Sequence, residues 1–203
     1  MKPTADVAGW TLSWAHGAPV YKSRAQVLEA AVRASMIGGL FCEFGVYEGG
    51  SLRFIADMVG SHGTVYGFDS FQGLPASSPG TERGDWPQGA FRHAPPSDLP
   101  PNVRIYPGWF TETLPKFVAE VPGWASFLHC DADLYDSTVT VLTEMAPKIV
   151  RGTVLLFDEF LWWPGWAERG EARAWAEFVE RTGTQFRCIG LVEGQEQVAV
   201  RVE

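Results

Sequence analysis

No stretch of the chain reaches the ~18–20 consecutive apolar residues that a bilayer-spanning helix requires, so no membrane partner is expected. Basic residues are scarce: 16 Lys and Arg stand against 24 Asp and Glu, a formal net charge of −8. A nucleic-acid groove needs clustered Lys and Arg, which argues against a nucleic-acid partner. Cysteine is rare too. Cys42, Cys130 and Cys188 have no metal-type pair spacing, and each falls within a predicted strand, as buried reduced thiols do. The first nine residues lack the charged start and apolar centre of a signal peptide. These absences lead to the expectation of a cytoplasmic protein. Also missing are an internal repeat and the Gly-x-Ser-x-Gly elbow of a serine nucleophile.

What is present is enough apolar residue for one well-packed domain, 46% of 203 residues, and residues 1–203 are read as that domain. Residues 1–36 read as an N-terminal cap segment and helix, with Val27, Leu28, Ala31, Val32 and Ser35 at helical spacing between Tyr21 and Met36. Strands are predicted near 40–45, 64–69, 102–106, 125–131, 152–158, 184–191 and 197–202. Helices are predicted near 50–60, 111–120, 136–149 and 169–182. This alternation predicts parallel βαβ units in a sheet covered on both faces. Only Glu193-Gly194-Gln195-Glu196 separates the last two strands, too few residues for a crossover helix, so they are expected to form an antiparallel hairpin.

The first of these strands runs into Glu43-Phe44-Gly45-Val46-Tyr47-Glu48-Gly49-Gly50-Ser51. A strand, a tight glycine turn and a helix start are how α/β proteins bring backbone close to a nucleotide-like ligand. The spacing is not Gly-x-Gly-x-x-Gly, and Glu43 lies two positions before the first glycine, which suits a positively charged ligand. S-adenosylmethionine (SAM), with an ammonium and a sulfonium, is one. Asp69 ends the next strand 24 residues after Gly45, placed to accept from ribose hydroxyls or to cap the following turn. Asp131 and Asp133 follow the fourth strand, and Asp158 and Glu159 the fifth. Neighbouring strands would gather these four carboxylates at one sheet edge, where they repel unless compensated by a divalent cation, shared protons or the sulfonium. All-oxygen donors favour Mg²⁺, Mn²⁺ or Ca²⁺ over zinc.

Gly73–Pro101 interrupts the rhythm with Pro, Gly and Ser around Trp86, Phe91, Arg92 and His93, and reads as a lid over the ligand or a surface insertion. A lid would be mobile over residues 75–98 without acceptor. Nine tryptophans are present. Trp162, Trp163 and Trp166 follow the acidic edge, where they would stack on a sugar, pack, or meet a partner subunit. Trp10 and Trp14 would close over the site or a partner. His129, inside a strand, reads as a packed core histidine.

The blocks EFGVYEGGSLRFIA, VYGFDSFQGLP, GWFTETLP, CDADLYDST and GTVLLFDEF, the last followed by PGW, occur in this order over residues 40–180. They resemble the macrocin O-methyltransferase (TylF/MycF-like) family. The resemblance implies a Rossmann-like class I methyltransferase fold, with a seven-stranded, mostly parallel sheet and the C-terminal hairpin. It also implies SAM- and Mg²⁺-dependent methylation of sugar hydroxyls, on a small-molecule or oligosaccharide substrate, by a homodimer. By matching position, Asp131, Asp158 and Glu159 would be metal ligands. Asp133, with Asp131, would be catalytic, Asp133 as general base or as a supporting carboxylate. Glu43, Gly45, Tyr47, Gly49, Ser51, Asp69, Ser70 and Asp131 would surround SAM. The short chain argues against a large macrolide acceptor. Rival expectations are methylation of a phenol, a SAM- or sugar-binding module without catalysis, and a nucleotide-dependent oxidoreductase.

Overall fold

The computed structural model describes residues 2–35, 38–76 and 86–203. In chain order it contains α1 (Val7–Ala15), β1 (Val20–Tyr21), α2 (Arg24–Ala34), β2 (Leu40–Phe44) and α3 (Gly50–Val59). Then come β3 (Val65–Asp69), β4 (Val103–Pro107), α4 (Phe110–Glu120), β5 (Ala125–Cys130) and α5 (Tyr135–Met145). The chain ends with β6 (Val154–Phe157), α6 (Trp166–Arg169), α7 (Glu171–Thr182), β7 (Phe186–Val192) and β8 (Val198–Val202). The strands form one sheet in the order β1-β7-β8-β6-β5-β2-β3-β4. Only β8 runs antiparallel to its neighbours.

The expected sheet and hairpin are present, with an eighth strand in addition. Val20 and Tyr21, at and beside the start of the expected helix, pair parallel with Leu191 and Val192 instead. Ser23 then caps the helix by accepting from the Gln26 N–H, so the helix begins at Arg24. The helix expected over 169–182 is α7, starting at Glu171, with the short α6 before Gly170 not expected, and α1 is a helix for which no expectation was drawn.

Alternation along the strands fixes two cores. Leu40, Cys42 and Phe44 of β2 join Phe68, Leu128, Phe157 and Trp175 on one face. Phe41 joins Phe127, Leu156, Leu52 and Val27 on the other, under α2 and α3. Trp10 and Trp14 of α1 pack edge-on against Phe186 at 5.7 and 5.2 Å, which assigns them to packing. The chain leaves β2 toward β3 and β4 on one side and returns through β5 and β6 on the other. The carboxyl ends of β2 and β5 are therefore the topological switch point, where α/β sheets bind ligands. Because α2 leads into β2, its N-terminal turn, with Arg24, lies at the same end.

Candidate active site

At the switch point β2 and β5 come so close that a side chain cannot fit between them. Gly45 has φ +96°, and a Cβ there would sit 1.7 Å from the Asp131 carbonyl oxygen. The glycine expected to admit a ligand is needed first to admit the neighbouring strand. Past it, the turn is tied down by Asp69 at the end of β3. Its Oδ2 accepts from the Val46 and Tyr47 N–H groups at 2.8 and 2.9 Å, and its Oδ1 from the Phe71 N–H at 2.7 Å. A carboxylate has about four acceptor positions, so this one organises the turn and keeps capacity for a further donor. Gly49, in the left-handed region, then caps α3.

A cavity of about 880 Å³ opens above these strand ends. Its walls are the Gly45–Glu48 turn, Ser51, Asp69 and Ser70, the carboxylates of Asp131, Asp133, Asp158 and Glu159, and side chains from residues 86–98. Trp109 and Phe110 at the start of α4 close another side. Strain concentrates here. Tyr47, Phe91 and Asp133 line the cavity with φ of 49°, 63° and 62°, a region that non-glycine residues seldom adopt, and such outliers cluster at ligand sites.

Oxygens of Asp131, Asp158 and Glu159 lie within 4.8 Å of one another. The cation among them is Arg24, whose guanidinium is ion-paired with Asp131 Oδ2 and, through Nε at 2.7 Å, with Asp158 Oδ1. Burial and the Asp158 charge push Asp131 up to about 7. Burial would also raise Asp158, but His129 and Arg24 outweigh it and hold that carboxyl below its usual range. Glu159 is pushed well up, by burial and by Asp131, Asp133 and Asp158.

Glu43 is not in the cavity wall. It faces the sheet side under α2 and α3, and it is fully buried directly across from His129 of β5. His129 Nδ1 lies 2.8 Å from Glu43 Oε1, and Nε2 lies 3.7 Å from Asp158 Oδ1. Burial alone would lower the imidazole, but the Asp158 carboxylate facing it and the hydrogen-bonded Glu43 carboxylate raise it to about 10, which favours the imidazolium. Glu43 was expected beside the ligand; strand alternation instead turns its side chain into the sheet, outside the cavity lining, where it holds His129 beneath Asp158. His129→Leu is expected to lose about 3–5 kcal/mol, because it strands a buried carboxylate. Glu43→Leu/His129→Leu should recover much of that loss in urea melts. A single variant as stable as the parent would contradict the buried pair.

The sequence model of the family Macrocin-O-methyltransferase (TylF) matches residues 20–185. The chain belongs to that family.

One family relative is the 8-demethyl-8-(2,3-dimethoxy-alpha-L-rhamnosyl)-tetracenomycin-C 4'-O-methyltransferase of Streptomyces olivaceus. It is 29% identical over 148 residues, covering 64% of this chain and 56% of that protein. Another is the demethyldecarbamoylnovobiocin O-methyltransferase of Streptomyces niveus, 29% identical over 158 residues, covering 68% and 59%. The chain therefore matches less than two thirds of the length of these curated relatives. Among solved structures, the crystal structure of CalS11, a calicheamicin methyltransferase, superposes with a TM-score of 0.72 at 24% identity, covering 87% of this chain and 77% of that one. That likeness establishes the class I methyltransferase fold.

Of the residues this macrocin O-methyltransferase family resemblance implied, Gly45, Tyr47, Ser51, Asp69, Ser70, Asp131, Asp133, Asp158 and Glu159 all line the one cavity. Gly49 stands just outside its wall, and Glu43 lies beneath it. Trp86, Phe91 and His93 of the loop join the wall, whereas Trp162, Trp163 and Trp166 do not. Trp163 is buried and donates its Nε1–H to the Glu159 carbonyl at 2.8 Å, a structural contact. Residues 77–85 of the expected lid lie outside the described residues. In the part that follows, Asp98 is ion-paired with Arg53 of α3, which also donates to the Glu48 carbonyl of the glycine turn at 2.7 Å. Arg24, Trp109 and Phe110 were not anticipated. The GWFTETLP block pointed to the last two, but nothing in the local sequence pointed to Arg24, whose helix reads simply as amphipathic.

Proposed function

We propose that this chain is a SAM-dependent O-methyltransferase that acts on a sugar hydroxyl, with a divalent cation, magnesium by preference, at Asp131, Asp158 and Glu159. The observation that carries this reading is that the Asp69-tied glycine turn and the acidic trio share one cavity wall. SAM fits the first half: the turn is preorganised, and Asp69 retains capacity to accept from a ribose hydroxyl. A divalent ion fits the second, because the donors are all oxygen, mutually close, and already hold one cation, the Arg24 guanidinium. Bound SAM supplies an electrophilic methyl group on sulfur. The bound ion would lower the acceptor hydroxyl's pKa.

The rest is the work of the chain. Asp133, fixed in the left-handed region on the cavity wall, accepts the hydroxyl proton on a carboxylate oxygen. Asp69 and the turn backbone hold the donor, so that the two reactants meet in one orientation, which is where several kcal/mol of barrier reduction arise. Residues 86–98 and Trp109 narrow the access of water. The aromatic side chains of Tyr47, Phe91 and Trp86 form an edge-to-face series at 6.1 and 4.7 Å along the wall. Such faces suit the C–H face of a sugar ring, in keeping with the rhamnosyl acceptor in the name of the Streptomyces olivaceus relative.

The test is methyl transfer from labelled SAM to a panel of glycosides, oligosaccharides and catechols, with and without chelator. Glycoside methylation that stops on chelation is expected. Preference for catechols would replace the acceptor class. SAM binding with no transfer to any acceptor would favour a binding module. Asp69→Ala should weaken SAM binding at least tenfold in calorimetry, since it removes both the acceptor and the tie on the turn; unchanged affinity would overturn the assignment of that residue.

A further inference from the structure

We propose that Arg24 is a built-in stand-in for the divalent ion: its guanidinium occupies the gap between Asp131 and Asp158 in the ion-free protein, and an ion enters only by displacing it. The inference rests on the proposed ion site. Its warrant is geometric. Arg24 bonds Asp131 Oδ2 and Asp158 Oδ1, oxygens of two of the three residues that can jointly hold a cation. A divalent ion bound by those carboxylates would face the guanidinium at contact range, and the repulsion between two cations in one partly buried site favours one or the other.

The arginine is also built to leave. It is the first residue of α2, and the turn that carries it is secured by Ser23 rather than by the side chain itself. Its side chain is 44% exposed and lines the cavity, so a change of rotamer moves the guanidinium into solvent without disturbing packed core. His129, by contrast, is completely buried between Glu43 and Asp158 and stays as a fixed countercharge below. One cation is therefore fixed and one is exchangeable. The exchangeable one keeps like charges from facing one another unshielded while no ion is bound, a cost that would otherwise destabilise the empty fold. When it leaves, a long cationic side chain is freed at the edge of the acceptor half of the cavity.

The test is a calorimetric Mn²⁺ titration of the parent protein, Arg24→Gln and Arg24→Lys, backed by ¹⁵N spectra of the arginine side chains in the parent. With the competitor removed, Arg24→Gln is expected to bind Mn²⁺ at least tenfold more tightly and to melt lower than the parent when ion-free. Arg24→Lys, which keeps the charge but loses the two-point fit, should fall between them and serves if Arg24→Gln fails to fold. In the parent, Mg²⁺ should shift the Arg24 Nε–H signal toward that of a solvent-exposed arginine. Equal or weaker Mn²⁺ binding by both variants, with the Arg24 signal unmoved, would overturn the inference and leave the ion site standing. No Mn²⁺ binding by any of the three proteins would overturn the ion site as well.

Discussion

Gly45→Ala is expected to cost most of the protein's stability. The added methyl would lie 1.7 Å from the carbonyl oxygen of Asp131 and 2.7 Å from its carbonyl carbon. Both are backbone atoms of the neighbouring strand, so no rotamer change relieves the clash. The two strands would have to part where the Asp131 N–H donates to the Phe44 carbonyl at 2.9 Å. The left-handed φ adds roughly 1 kcal/mol of its own. Together these place the loss at about 4–5 kcal/mol or more, the tail of single-substitution effects, in a fold whose total is of order 5–15 kcal/mol. Urea melts measure it. A variant that melts with the parent and only binds SAM less tightly would mean that the glycine serves the ligand rather than the sheet.

Asp131→Asn should do the reverse, leaving the fold and abolishing the reaction. Methyl transfer is expected to fall by about 10³-fold or more, because the change removes an anionic oxygen from the ion site and from the edge of the reacting cavity. The backbone of Asp131 does its structural work, and the substitution keeps that backbone. Burial and the Asp158 charge outweigh the Arg24 ion pair and His129 at this carboxyl, so its neutralisation should leave the melting temperature of the ion-free protein unchanged or raise it. This is the usual exchange between a functional site and stability. Parallel rate and melting measurements check both halves. An active variant would remove Asp131 from the site, and a melting temperature lowered by more than about 5 °C would make the carboxylate structural.

The strands and the hairpin were legible because their signals are local: apolar runs of strand length, glycine turns, and a four-residue link too short for a helix. The convergence of Asp69, Asp131, Asp133, Asp158 and Glu159 was legible too, since each ends a strand or closely follows one and parallel strands end together. Glu43 shows where this reasoning stops. It also ends a strand, but alternation decides which face a residue takes. Its partner, His129, lies 86 positions away and is visible only once β2 and β5 are paired in register. Arg24 escaped for a related reason. A cation placed on an acidic cluster by a separate helix leaves no local pattern. β1 is two residues long, below the length at which alternation carries information.

The most direct measurement is a calorimetric titration of SAM into the parent protein, freed of bound ligand, with and without Mg²⁺. Saturable 1:1 binding in both conditions, with methyl transfer to a glycoside only when the ion is present, is the predicted result. No SAM binding in either condition would contradict the account, because the turn tied by Asp69 would then hold some other ligand.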